Sequence, residues 1–233
     1  ASKNTASGSQ ALYHNTTGTE NTASGYQALH LNTTGDSNTA RGYVALYSNT
    51  TGIKNVASGY GALYSNTTAH HNTAIGSYVL YTNTTGTYNT GVGSQALRYN
   101  TDGHYNTAIG LYALNVNTTG DSNTASGFKA LYQNTTGQKN VASGQYALYS
   151  NTTGGWNTAS GYYALRWHST GECNTGCGGY AGQNITTGDY NTCLGYNAQT
   201  SSATVDDEFV LGDANIATLR CNTQTISGLS DAR

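Results

Sequence analysis

Twelve consecutive segments of 17 residues, from Asn4 to Asp207, repeat the pattern Asn-Thr-Ala-x-Gly-x-x-Ala-Leu-x-x-Asn-Thr-Thr-Gly-x-x with no residue inserted or deleted. A fixed period this short describes one supersecondary unit stacked on copies of itself. The expected fold class is therefore all-β, a β-solenoid or β-roll of twelve rungs, and not a compact core around an enzyme cleft.

Counting each rung from its Asn, the first and fifth positions never vary, as in Asn21, Asn38, Asn55 and Asn72 and in Gly25, Gly42, Gly59 and Gly76. An Asn recurring at one corner can bond the copies above and below it. A recurring Gly marks a backbone angle or a close approach that a Cβ would forbid. The second corner, Asn-Thr-Thr-Gly (Asn15 to Gly18, Asn32 to Gly35), has the composition of a turn whose last residue takes a positive φ. Between the corners lie Thr-Ala-x-Gly and x-Ala-Leu-Tyr-x, both of strand length. Each rung thus reads as two short strands and two turns, and twelve rungs make a rod about 58 Å long.

The interior offered by such a rung is thin, two Ala and one Leu. The third position (Ala6, Ala23, Ala40, Ala57, Ala74, Gly91) stays small enough for another backbone to pack against it. This points to an elongated homotrimer with a shared core; a single-chain solenoid closed on its own Ala and Leu is the alternative.

Charged residues make up 9% of the chain, the net charge is −2, and the nine basic residues are scattered, which argues against a nucleic-acid partner. No run of about 18 apolar residues exists, so membrane insertion is not expected. Met is absent, which implies that Ala1 is not a translational start and that something precedes it; Pro is absent too, as fits a chain whose N–H groups serve ladders.

Chemistry-bearing residues are sparse. The six His (His14, His30, His70, His71, His104, His168) occupy variable positions, and the adjacent His70 and His71 would point to opposite faces if extended, so no metal site and no cofactor are expected. Glu20, Asp36, Asp102, Asp121, Glu172 and Asp189 form no acid and base pair. Cys173, Cys177, Cys193 and Cys221 lack paired spacing and read as packing residues. Nine Asn-x-Thr sequons, among them Asn32, Asn49 and Asn66, are explained by turn chemistry as well as by glycan acceptance. The aromatic load is the feature with functional promise: twenty Tyr fall chiefly at the sixth, seventh and tenth positions. Exposed rings can stack on sugars, although ladders also use them for packing. Trp156, Trp167, Tyr162 and Tyr163 are the candidate glycan contacts.

Fidelity falls after Gly171: His168 replaces a corner Asn, Gly182 and Gln199 replace the Leu, and Thr200 to Thr204 read as an exit linker. Alternating apolar residues either side of Gly212-Asp213-Ala214-Asn215 then suggest a short β-hairpin. The expected domains are a shaft over 1–204 and a hairpin stem over 205–233.

Val210-Leu211-Gly212, Ile216-Ala217-Thr218-Leu219-Arg220-Cys221 and the terminal Ser230-Asp231-Ala232-Arg233 resemble the segment that precedes the junction in phage tail fibres and tailspikes with an endosialidase-type intramolecular chaperone. The resemblance implies that Ser230 is the nucleophile of an autocleavage that releases a chaperone beginning at Asp231, the Lys partner lying past Arg233. The repeats also resemble the heads of trimeric autotransporter adhesins, whose rungs are usually shorter. On this resemblance the chain is expected to be no enzyme apart from that self-cleavage. It would be a trimeric, structural and receptor-binding fibre of a virion tail, extracellular, touching host surface polysaccharide through many weak contacts. A bacterial adhesin head and an ice-binding solenoid are the alternatives.

Overall fold

The computed structural model describes residues 3–216. Thirteen strands of three residues, from β1 (Thr5–Ser7) to β12 (Thr192–Leu194) and β13 (Phe209–Leu211), form one parallel sheet in sequence order. Every pairing is in register one repeat apart, Thr22 opposite Thr39 and Ala23 opposite Ala40. The chain is an all-β solenoid of about twelve turns.

Only one of the two expected strands per rung exists. The run x-Ala-Leu-Tyr-x is a turn, because the seventh and ninth positions are left-handed: Val44 has φ 48°, and Leu29, Leu46 and Leu63 each have φ 52°. An L-residue in that region costs about 1–2 kcal/mol. The ladder offsets this, since Leu29 N–H donates to Ala45 O at 3.0 Å and Leu46 N–H to Ala62 O at 2.9 Å, one rung on. The seventh position bonds in the opposite direction, Val44 N–H to Tyr26 O at 2.9 Å. Backbone groups therefore stay parallel to the rod axis around the turns as well as in the strands, which leaves few buried backbone groups unpaired.

The two corners use Asn differently. At the first, Asn21 Oδ1 accepts from the Asn38 backbone N–H at 2.9 Å, while Asn38 Nδ2 donates to Gly52 O at 2.7 Å. At the second the amides bond each other directly, Asn49 Nδ2 donating to Asn32 Oδ1 at 2.7 Å and Asn66 Nδ2 to Asn49 Oδ1 at 2.8 Å. All of these side chains are buried, so both ladders are internal polar spines.

The two recurring glycines have separate causes. Gly42, at the fifth position, has φ 126°, and a Cβ there would lie 2.6 Å from Gly59 O. The second-corner Gly does not take the positive φ expected of it; Gly18 is required because a Cβ would lie 2.5 Å from Gly35 O and 2.6 Å from Asn15 Oδ1.

The core is closed within one chain. Ala23, Ala28 and Leu29, and their equivalents up the rod, are 0% exposed. The third-position Ala faces this interior and not a partner, so its small size gives no physical reason for a core shared among chains. Departures from the repeat compensate by volume. Gly91 replaces Ala where Val79 replaces the eighth-position Ala of the rung before, and a Cβ on Gly91 would collide with Val79 Cγ1. Gly182 replaces Leu where Ile185 replaces the second-corner Asn, and Ile185, 0% exposed, fills the vacated volume.

The ladder also runs past the expected end of the shaft. Thr186 N–H donates to Ala203 O at 2.8 Å, and Glu208 N–H donates to Asn191 Oδ1 at 3.0 Å in the place of a first-corner Asn. Phe209–Leu211 pairs parallel to Thr192–Leu194. The segment expected to open a hairpin is thus a thirteenth rung strand, and Ala217 onward lies outside the described residues.

Candidate functional site

The sixth, seventh and tenth positions surround the left-handed turn, so one side of the rod carries parallel rows of side chains a rung apart. Along the sixth position Tyr26, Tyr43 and Tyr60 stack with centroids 5.1 Å apart and planes within 16°. Along the tenth, His30, Tyr47, Tyr64 and Tyr81 do the same at 5.1–5.2 Å. Neighbouring rings face one another along the axis, so within a row the faces pack on each other and the edges and phenol groups meet solvent.

Between the two rows lies a cleft of about 310 Å³. Tyr43 and Tyr60 form one wall, Tyr47 and Tyr64 the other, and Val44 the floor. Tyr78, tilted 58° from Tyr60 and 67° from Tyr81, breaks the parallel stack and closes one end. The pKa of Tyr60 is raised, chiefly by hydrogen bonding with Tyr78, and that of Tyr64 is raised first by burial. These phenols are neutral at physiological pH, and no carboxylate lines the cleft.

Further along the same side the groove holds the chain's own cations. Arg98 lies 5.1 Å from the Tyr78 centroid. Lys129, at the seventh position, lies 5.3–5.9 Å from the rings of Tyr112, Phe128, Tyr132 and Tyr146. Arg166 lies 4.2 Å from both Tyr163 and Trp167 and 5.3 Å from Tyr146.

No protein-family model, curated protein or solved structure matches the chain. The site therefore rests on its own geometry.

The four residues expected to contact glycan do not converge. Tyr162 and Tyr163 meet edge to face at 4.1 Å, and Arg166 joins Tyr163 to Trp167. Trp156 stands on a different row, covered on one side by Lys139 at 4.7 Å, and is 52% exposed. Ser230 and Asp231 lie outside the described residues. Among the described residues no group of three or more His, Cys, Asp or Glu could hold a metal ion. His70 and His71 are not opposed as expected, because His71 is left-handed (φ 59°) and the rings lie 5.7 Å apart. Among the described residues no helix is long and apolar enough to cross a membrane.

Three further residues bear on chemistry. His168 is 0% exposed at a second-corner position, its Nε2 donating to Gly171 O at 2.9 Å while Nδ1 has no partner; burial pushes its pKa down to about 4. Burial pushes the Cys193 thiol up to about 11, whereas Cys177 is exposed. The sequon Asn32, Asn49 and Asn66 are 0% exposed with Nδ2 already donating, so the folded chain offers those nitrogens to no glycosyl donor.

The Tyr cleft was legible only in part. The sequence shows Tyr rows at the right positions, but the left-handed seventh position, which places Val44 as a floor between them, has no sequence signal, since Val is among the residues least suited to it.

Proposed function

We propose that the chain is a shaft segment of an extracellular fibre, of the virion-tail kind, that assembles as a homotrimer and touches host surface polysaccharide through repeated aromatic contacts. The observation that carries this reading is the axial ladder: two buried Asn spines and a one-chain core make a rod of repeated rungs, with most of the side-chain variation on the surface. Among the described residues no acid, base or metal set converges, and a rod of repeated rungs suits display and spacing, where weak contacts along it add. Because the core closes in one chain, trimer formation rests on surface contacts and on the chaperone that the Ser230-Asp231 resemblance implies. An adhesin head would use the same rod without that cleavage.

Light scattering coupled to size exclusion should give three times the 24.3 kDa chain mass, and the assembly should be retained on host envelope polysaccharide. A single-chain mass together with no retention would leave the reading without support.

Ice binding gains one observation. Thr22 and Thr39 and, beyond Val56, Thr73, Thr90 and Thr107 lie in register on one parallel sheet, and not only in turns. The adjoining row is irregular, with Ser24, Arg41, Ser58 and Ile75. Thermal hysteresis in the purified chain would favour this second reading over the fibre.

A further inference from the structure

The groove between the sixth- and tenth-position rows is one structural element repeated up the rod, and the chain fills it unevenly. At Lys129 the seventh-position side chain turns into the groove and its ammonium is enclosed by four rings. Arg166, from the tenth position, does the same with Tyr146, Tyr163 and Trp167. In the rungs of Val44 and Gly61 the seventh position supplies no cation, while three of the four rings remain: Tyr60 stands where Phe128 stands beside Lys129, Tyr64 where Tyr132 stands and Tyr78 where Tyr146 stands, with Val44 in the place of Tyr112. The result is the 310 Å³ cleft.

We propose that this cleft, walled by Tyr43, Tyr60, Tyr47 and Tyr64 over Val44 and ended by Tyr78, binds an organic cation, an alkylated ammonium group. The cation takes the place, above Gly61, that Lys129 occupies four rungs along.

The chemistry follows from the walls. Aromatic faces attract a cation within about 6 Å of the ring centroid, and the attraction grows with desolvation. With no carboxylate at the cleft, the ligand must give up hydration without gaining an ion pair, which favours an alkylated ammonium over a strongly hydrated primary one. Ring orientation supports this. Beside Lys129, Phe128 and Tyr146 are turned 82° to each other, Tyr146 and Tyr149 67°, and Tyr132 and Tyr149 stack within 5°. The equivalent pairs at the cleft keep that pattern, Tyr60 and Tyr78 at 58°, Tyr78 and Tyr81 at 67°, and Tyr64 and Tyr81 within 13°. The cleft thus holds the ring arrangement found around Lys129, with Tyr78 turned out of the stack.

The inference stands apart from the fibre reading, since it concerns one cleft on a single chain and survives a failure of polysaccharide retention. The test is titration of the full chain with choline, followed by tyrosine ring resonances, in parallel with the uncharged isostere in which carbon replaces the nitrogen. Saturable shifts with Kd on the order of 1 mM are expected for choline, and binding about tenfold weaker for the isostere. Val44→Lys should plug the cleft from within and abolish the shifts; the seventh position accepts Lys, as Lys129 shows at φ 54°. Lys129→Gly should open a second site and raise the stoichiometry from one to two. Equal binding of the isostere, shifts unchanged by Val44→Lys, or no saturable binding of choline would each overturn the proposal.

Discussion

Transplanting the compensating pair Gly182 and Ile185 into a regular rung tests whether the core is packed as tightly as its 0% exposures imply. The equivalent sites are Leu80 and Asn83, joined by the same turn bond, Asn83 N–H to Leu80 O at 3.2 Å. Leu80→Gly alone empties a fully buried Leu, a loss of about 3–5 kcal/mol. Removing the left-handed strain at φ 50° returns about 1 kcal/mol. Asn83→Ile alone deprives Asn66 Oδ1 of its donor at 3.2 Å and Asn100 Nδ2 of its acceptor at 2.8 Å. One orphaned buried oxygen, with Asn100 Nδ2 still donating to Gly103 O at 3.0 Å, costs about 1–3 kcal/mol, and forcing Ile against Leu80 adds about 1–3 kcal/mol. In the double variant the Ile enters the space that Leu80 leaves, so overpacking disappears and much of the cavity is filled. Only the orphaned oxygen remains, a state the chain already tolerates at Asn151 Oδ1, where the amide ladder meets His168. Urea midpoints at unchanged m-value should show the double variant about 2–4 kcal/mol more stable than the sum of the singles. Additivity within about 0.5 kcal/mol would refute the shared-volume argument.

Other consequences are as concrete. His168 is neutral in the fold and its pKa falls from 6.5 to about 4, so the native state binds fewer protons than the unfolded one between those values. Stability from this group is complete above pH 6.5 and falls by about 3 kcal/mol as the pH drops to 4, and His168→Asn, the repeat residue, should remove that loss in a pH series of denaturation curves. Gly42→Ala meets both a φ of 126° and the Gly59 carbonyl 2.6 Å from the new Cβ. It should cost about 3 kcal/mol or more of thermal stability, whereas a cost below about 1 kcal/mol would mean that the rungs can part. At neutral pH a thiol reagent should label exposed Cys177 and spare Cys193, whose thiol burial holds near 11; mass mapping that finds Cys193 labelled at a similar rate in the folded chain would contradict the closed core.

The parts of this fold legible in the sequence are those where one residue type answers one demand. Asn at both corners, Gly at the fifth position and the Ala and Leu interior all announced themselves, because their replacement breaks a bond or a contact that recurs in every rung. The left-handed Leu row had no such signal. Leu29 or Leu46 in that conformation contradicts local preference, and only the axial hydrogen bond and full burial hold it there, so a run that looked like a strand is a turn. The same blindness hid the floor of the Tyr cleft at Val44. The thirteenth strand was missed because Glu208 and Phe209 resemble neither Asn nor Thr, yet the Glu208 backbone N–H still finds Asn191 Oδ1. The expectation of a shared core came from treating a small residue as an opening to a partner, when Ala40 or Ala57 is small because its own opposite wall is near.

The account turns on a ladder that closes around the whole circumference, and amide hydrogen exchange resolved along the chain tests it most directly. The N–H groups of Leu46 and Leu63, bonded to Ala62 O at 2.9 Å and Val79 O at 3.0 Å, should be protected to the same degree as the strand amides of Val56 and Thr73, bonded at 2.8 Å. Fast exchange at the Leu amides beside slow exchange in the strands would mean that those segments are ordinary surface loops, and the closed solenoid would be wrong.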